Sequence, residues 1–317
     1  MTLVSSFAER ATILFLSSFP MLKRRSDDTK QSEMSGHIVN GVDATIEMFP
    51  YMAQITFQGL PHCGGTVISR RVILTAAHCL GVGFMGIWID FKDLEVVLGS
   101  SKALEGKKYK VCTTLPHENS SGLETDIGLV LLKKEIKIGR KVQIASLASN
   151  SKWKRKANLI TVIGFGQTKT YGGQSSTKLQ MTKLKYVNET ACFNTQHIPY
   201  FKNKIYEDKI CLIGEKWTGP CRGDSGSSAI WNRTIVGVVS NNRDIFCASD
   251  MTPSMYTDVV YYLNWIRTNT KYLESGNAKC YKKERLSSSD PHAGTSQHKY
   301  GRLPSTLSKN GVKIHFS

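Results

Sequence analysis

From Ile38 to about Asn269 the chain is a succession of short β-branched and apolar runs cut by turn-rich pieces at modest spacing: Tyr51–Phe57, Gly65–Ile68, Val72–Ala76, Glu95–Leu98, Ile127–Leu132, Leu159–Ile163 and Ile235–Ser240. Runs this short, bounded by turn residues, read as strands, and the body of the chain therefore reads as all-β. One stretch departs from the pattern. In Thr257–Tyr272, Val260, Leu263, Trp265 and Ile266, and less regularly Val259 and Tyr262, recur at near-helical spacing, which predicts a terminal helix packed on the sheets. Beyond it, Leu286–Leu307 is rich in Ser, Gly, Pro, His and Lys with almost no apolar pattern, and disorder is expected there. The expected division is a signal sequence and pro-segment over 1–37, one folded body over 38–271 and a basic tail over 272–317.

A chain of 317 residues with 40% hydrophobic content can bury a sizeable core. Its 42 basic and 25 acidic residues leave a net charge of +17, which on its face would suit nucleic acid, an anionic membrane or acidic sugars. The excess is uneven: from Thr270 to the end there are 9 basic and 3 acidic residues, a third of the bias in a tail. No apolar run approaches the roughly 20 residues needed to span a bilayer.

Eight cysteines, Cys63, Cys79, Cys112, Cys192, Cys211, Cys221, Cys247 and Cys280, form no CxxC pair, so a zinc ribbon or a thioredoxin-like site lacks its spacing. Scattered and even in number, they suit disulfides. Sequons at Asn119, Asn188 and Asn232 point the same way, to an oxidising, extracellular destination. Ala11–Phe19 has the length of a signal-peptide core and follows Arg10, although Glu9 lies beside it and no small-x-small cleavage site follows cleanly.

Chemistry concentrates in Gly219-Pro220-Cys221-Arg222-Gly223-Asp224-Ser225-Gly226-Ser227. A serine nucleophile needs its hydroxyl exposed on a tight turn with backbone N–H groups free to face an oxyanion, and glycines at 223 and 226 permit that approach. Upstream, Leu74-Thr75-Ala76-Ala77-His78-Cys79 places a histidine at a strand end beside a cysteine able to pin it. Glu124-Thr125-Asp126-Ile127 opens an apolar strand with an aspartate that would be buried and would need a partner. Each piece alone has an ordinary structural reading. All three in the order His, Asp, Ser, with Ile38-Val39-Asn40-Gly41 ahead of them, make coincidence very improbable. The chain resembles the trypsin and chymotrypsin family of serine endopeptidases over about Ile38 to Lys271, with support from Val162-Ile163-Gly164-Phe165-Gly166, Gly237-Val238-Val239-Ser240, Pro253-Ser254-Met255-Tyr256-Thr257 and Trp265-Ile266.

The resemblance implies two six-stranded antiparallel β-barrels with a C-terminal helix and an active site in the cleft between the barrels. It implies Ser225 as nucleophile, His78 as general base, Asp126 as the group orienting the imidazole, and the N–H groups of Gly223 and Ser225 as the oxyanion hole. Ser240 would offer backbone pairing to an extended substrate. It also implies disulfides Cys63–Cys79, Cys192–Cys211 and Cys221–Cys247; Cys112 and Cys280, left over, are expected to join each other. A cut before Ile38 would free an amino group to pair with Asp224, although His37 stands where a trypsin-like activator would require Lys or Arg.

Several positions depart from the family pattern. Ser100 and Lys108 replace acidic residues of calcium-binding members, so no metal and no cofactor is expected. Asn241-Asn242 replaces Trp-Gly after Ser240, weakening the outer subsites. Gly219 stands where trypsin-like members carry an aspartate, and Asn242 and Ser254 occupy wall positions that are commonly glycine. A constricted pocket follows, with an elastase-like preference for small to medium apolar residues; aromatic cleavage competes if Asn242 turns outward. Arg222 at the pocket mouth would favour acidic residues nearby in the substrate. Expected partners are protein or peptide substrates, an activating protease and serpin-type or other protease inhibitors, with no nucleic acid; the tail could contact acidic glycans. A secreted monomer is expected. The reading from another class is a secreted, protease-like binding protein with weak or no turnover.

Overall fold

Successive side chains of a strand point to opposite faces, and Gln180–Val187 follows that rule: Gln180, Thr182, Leu184 and Tyr186 are buried while Lys183 and Lys185 are exposed. The computed structural model describes residues 38–81, 89–121, 124–155, 158–169, 173–194, 207–241, 247–248 and 252–280. The expected signal sequence and pro-segment, nearly all of the tail and Asn242 lie outside the described residues.

Two barrels make up the body. A two-residue strand, β1 (Val42–Asp43), precedes the first, which closes in the order β2 (Met52–Phe57), β3 (Leu60–Val67), β4 (Val72–Thr75), β7 (Gly128–Leu132), β6 (Lys107–Pro116), β5 (Leu94–Leu98), with β5 returning to β2. After the short β8 (Ser146–Leu147), the second is built from β9 (Leu159–Gly164), β10 (Gln180–Val187), β11 (Lys209–Ile213), β12 (Ser228–Trp231), β13 (Thr234–Asn241) and β14 (Ser254–Asp258). Its antiparallel order β10-β11-β14-β13-β12-β9 closes through β9 and β10, with β1 hung on β10 and β8 running parallel to β13. Two six-stranded antiparallel barrels are thus present, as expected. Between β10 and β11 lies a short helix, α1 (Glu189–Asn194), and α2 (Leu263–Glu274) ends the body.

Strand β7 is buried along its whole length because α2 covers the face that would otherwise meet water. Ile266 and Leu273 supply that contact, while Trp265 stacks on His117 with ring centroids 4.9 Å apart and donates its Nε1–H to Glu118 at 2.9 Å. The helix starts later than the sequence pattern predicts. Thr257 and Asp258 complete β14, paired with Lys209 on β11 and Gly237 on β13, and the Asp258 carboxylate then accepts the Val260 amide at 2.8 Å to turn the chain. Backbone pairing on both sides of β14 outweighs the helical spacing of the side chains. The helix also runs past Lys271, and Cys280 ties the segment behind it to β6 through the Cys112–Cys280 disulfide. The remaining disulfides are Cys63–Cys79, Cys192–Cys211 and Cys221–Cys247, the pairs that the resemblance implied.

Candidate active site

Strand β4 is fully buried and carries the chain straight into a single 3-10 turn, Ala77–Leu80, which presents His78. The Cys63–Cys79 bond staples that turn to β3. Asp126 enters from the chain just ahead of β7 and is completely buried. One carboxylate oxygen accepts the backbone N–H of His78 at 3.0 Å; the other faces His78 Nδ1 at 2.8 Å and accepts the Ser240 hydroxyl at 2.6 Å. Ser240 comes from β13, so the second barrel completes the hold on a first-barrel aspartate. A further clasp is the Thr257 hydroxyl, which donates to the main-chain oxygen of Asp126 at 2.7 Å.

Electrostatics follow from these contacts. Burial pushes the Asp126 carboxyl up, yet the His78 ring and the hydrogen bonds from His78 and Ser240 outweigh it and hold Asp126 below the usual carboxylate range. For His78, burial works against the imidazolium, but the Asp126 charge and its hydrogen bond prevail and raise the ring above its ordinary value; Lys209 pulls weakly in the other direction. With Asp126 on Nδ1, the other ring nitrogen is left outside the carboxylate's hold. That atom, Nε2, lies 3.8 Å from Cys79 Sγ.

Ahead of β12, the segment from Cys221 to Ser227 folds into two tight turns, with Asp224 N bonded to Cys221 O and Ser227 N to Asp224 O, each at 3.0 Å. Gly223 and Gly226 take φ of 94° and 80°, which side-chain-bearing residues rarely adopt. Gly226 is also pressed on the first barrel: a Cβ there would stand 2.2 Å from Thr75 Oγ1. The Ser225 carbonyl accepts the Gly64 amide at 2.7 Å, and Thr66 and Ser228 hydroxyls meet at 2.5 Å, so this turn is docked on β3 and β4. The amides of Gly223 and Ser225 bond to no protein acceptor among the described residues and remain available to a ligand oxygen. No hydrogen bond joins Ser225 Oγ to His78.

Asp224, next to Ser225, is as buried as Asp126 but differently partnered. Its oxygens accept the Gly166 amide at 2.8 Å and the Cys221 amide at 2.9 Å, and no cation pairs with it among the described residues. Burial, only partly offset by the two amides, pushes this carboxyl up to about 7. Gly166 makes the cage possible, since a Cβ there would lie 2.4 Å from the carboxylate. Ile38 is itself fully buried, and the following residues dock beside this region: Val39 bridges to Gly219, and the Asn40 amide reaches the Lys216 and Trp217 carbonyls at 3.0 and 3.1 Å.

Gly219, Ala248 and Ser254 come together. A Cβ on Gly219 would be 3.3 Å from Ala248 Cα and 3.8 Å from Ser254 Oγ, so the space there is small and carries no carboxylate from these three residues. The imidazole of His78 also lies close to Cys63 and Cys79, but the two sulfurs are bonded to each other and offer no thiolate to a metal. Sequence reasoning missed Thr257, the hydroxyl role of Ser240, and Lys209, a fully buried lysine behind Asp126. The one signal was a lysine heading the apolar run Ile210-Cys211-Leu212-Ile213.

A family model described as Trypsin matches residues 38–266. A trypsin of Phaedon cochleariae is 31% identical over 241 residues, 74% of this chain and 88% of that protein. A trypsin of Sarcophaga bullata is 28% identical over 82% of this chain and 99% of its own length. The vitellin-degrading protease of Bombyx mori is 28% identical over 73% and 85% respectively. Among solved structures, mouse neuropsin, a serine protease expressed in the limbic system of the brain, shares the fold with a TM-score of 0.64 at 23% identity, covering 74% of this chain and 100% of that one.

Proposed function

The chain belongs to the trypsin family and is a serine endopeptidase acting on proteins, and from that premise we propose that His78, Asp126 and Ser225 are its catalytic groups. The observation that carries this reading is the fixed couple of a buried, ionised Asp126 and the His78 ring, held from both barrels. Ser225 attacks the scissile carbonyl, His78 takes its proton and passes it to the leaving amine, and Asp126 stabilises the imidazolium. The unengaged amides of Gly223 and Ser225 receive the developing oxyanion. The Ser225–His78 hydrogen bond forms when substrate is bound, since such bonds are often long in substrate-free enzymes.

Activation runs through Asp224. A cut ahead of Ile38 creates an ammonium group that answers the buried carboxylate, which meets no cation among the described residues, and the docking of Val39 and Asn40 beside Gly219 supports that route. The first pocket takes small to medium apolar residues, supported by Gly219 backed by Ala248 and Ser254. Secretion is supported by four disulfides and by three sequons whose asparagines, Asn119, Asn188 and Asn232, are all exposed. Among the described residues no helix is long and apolar enough to cross a membrane.

The unmade Ser225–His78 bond favours one other reading, a secreted binding protein that never assembles its nucleophile. Reaction of the processed protein with a fluorophosphonate separates the two. Covalent labelling that disappears in Ser225→Ala and in His78→Ala is expected; an unlabelled, folded protein would establish the binding-protein reading. Cleavage of a peptide library should then centre on small apolar residues, and dominant cleavage after Arg or Lys would sink the pocket assignment.

A further inference from the structure

Lysine is almost never fully buried unless it is paired, yet Lys209 has no exposed surface. It heads β11 directly opposite Thr257 of β14. Its ammonium donates to Asp208 Oδ2 at 3.0 Å and to Thr257 Oγ1 at 3.3 Å, and the Thr257 hydroxyl in turn donates to the Asp126 carbonyl at 2.7 Å. Asp208 is fixed in turn by the Tyr262 hydroxyl at 2.8 Å. A chain of hydrogen bonds thus runs from the approach to α2, through an ion pair whose lysine is fully buried and whose aspartate is partly buried, to the back of the aspartate that grips His78.

We propose that Lys209 and Asp208 form a positioning pair for the Asp126–His78 couple: the ammonium holds the Thr257 hydroxyl on the Asp126 backbone and sets a fixed positive charge behind the couple. The inference rests on the reading of His78 as the base. Burial and Asp126 are the two largest influences on the His78 proton, the first lowering and the second raising its affinity, and Lys209 lowers it further. Lys209 therefore keeps His78 unprotonated, and able to accept the Ser225 proton, at lower pH than Asp126 alone would allow, and Asp208 moderates that pull. The groups facing this arrangement are Asp126 from the approach to β7, His62 from β3, Tyr262 ahead of α2, and His117 beside it. His62 donates its Nε2–H to the Cys79 carbonyl and is depressed by burial and, more weakly, by His78; His117 feels Asp208.

The two members of the pair make opposite predictions, which a purely structural role would not. Lys209→Met removes the positive charge, so the His78 titration should move up by roughly half a pH unit, a threefold loss of rate on the acid limb. Asp208→Asn leaves the cation unopposed, so the titration should move down. The readouts are the NMR titration of the His78 ring in isotope-labelled full-length protein and the pH dependence of fluorophosphonate labelling. Equal directions in both variants, or an unmoved ring in Lys209→Met, would overturn the proposal. If Asp208→Asn is unfolded by circular dichroism, Lys209→Met decides alone. The ring titration needs no catalysis: a ring that shifts as expected in a protein that never labels removes the catalytic reading of Ser225 and leaves this one, whereas an unshifted ring in a labelling protein does the reverse.

Discussion

Asp126 and Asp224 are equally buried and differ in everything that follows from burial. Both have no exposed surface and both accept backbone amides, yet Asp126 is held below the usual carboxylate range and Asp224 rises to about 7. The cause is what else faces the oxygens. Asp126 meets an ionisable ring and a hydroxyl brought from two barrels. Asp224 meets two amides and no cation among the described residues. A buried carboxylate is costly unless a counter-charge answers it. Burial thus sets the size of the electrostatic stake, and the partner sets its sign. On the proposed mechanism the difference is functional: one carboxylate must carry its charge permanently, and the other must wait until a cut supplies its cation.

Abolishing the charge of Asp126 should have the largest effect. Asp126→Asn keeps the shape but inverts the tautomer preference of His78, and a loss on the order of 10⁴ in kcat is expected, the magnitude attached to the same change in the family's best-worked triad. Steady-state hydrolysis checks it; a fall of less than tenfold would mean that Asp126 is not the orienting group.

Asp224→Asn tests the other half, and its effect should change sign with processing. In the uncleaved chain Asp224 binds its proton more tightly folded than unfolded, with the ordinary value at 3.8 and the folded one at about 7. Its contribution to stability is therefore complete below about pH 4 and is lost as pH rises through about 7, a decline of about 4 kcal/mol that the asparagine variant should lack. After cleavage ahead of Ile38 the same substitution should destabilise by about 3–5 kcal/mol, because it strands a buried ammonium group. Urea unfolding of both forms at pH 5 and pH 8 reads both signs, and identical pH slopes for the parent and the variant would dismiss the carboxylate as the responsive group.

The smallest expected effect sharpens the contrast from the Asp126 side. Ser240→Ala removes one hydrogen bond to a charged group, about 1.5–3 kcal/mol of support for the ionised Asp126, or a loss of 10- to 100-fold in kcat/KM. A variant with full activity would show that the His78 contacts alone hold the charge.

Much of this comparison was legible before any fold was known, and its limits are physical. Local chemistry is written in adjacent residues: the turn glycines around Ser225, the strand ends at His78 and Asp126, and the alternation in Gln180–Val187 all depend on neighbours a few positions away, so the residues determine them directly. The terminal helix was legible as a pattern but not in its start, because Thr257 and Asp258 satisfy their backbone on β11 and β13, and no periodicity in the segment itself reports those partners. The hydroxyl of Ser240 looks in sequence like one more strand residue, and becomes the third contact on Asp126 only when the second barrel docks on the first. Lys209 shows the limit most plainly. A lysine at the head of an apolar run carries no hint of whether it snorkels to water or stays inside, and that choice was made by Asp208, Thr257 and Tyr262. The sequence by itself determined which groups could do the chemistry and in what order they are strung. Only closure and docking of the two barrels decided which of them face one another, because charge and proton affinity depend on distances of a few ångströms between residues that stand 48 to 131 positions apart.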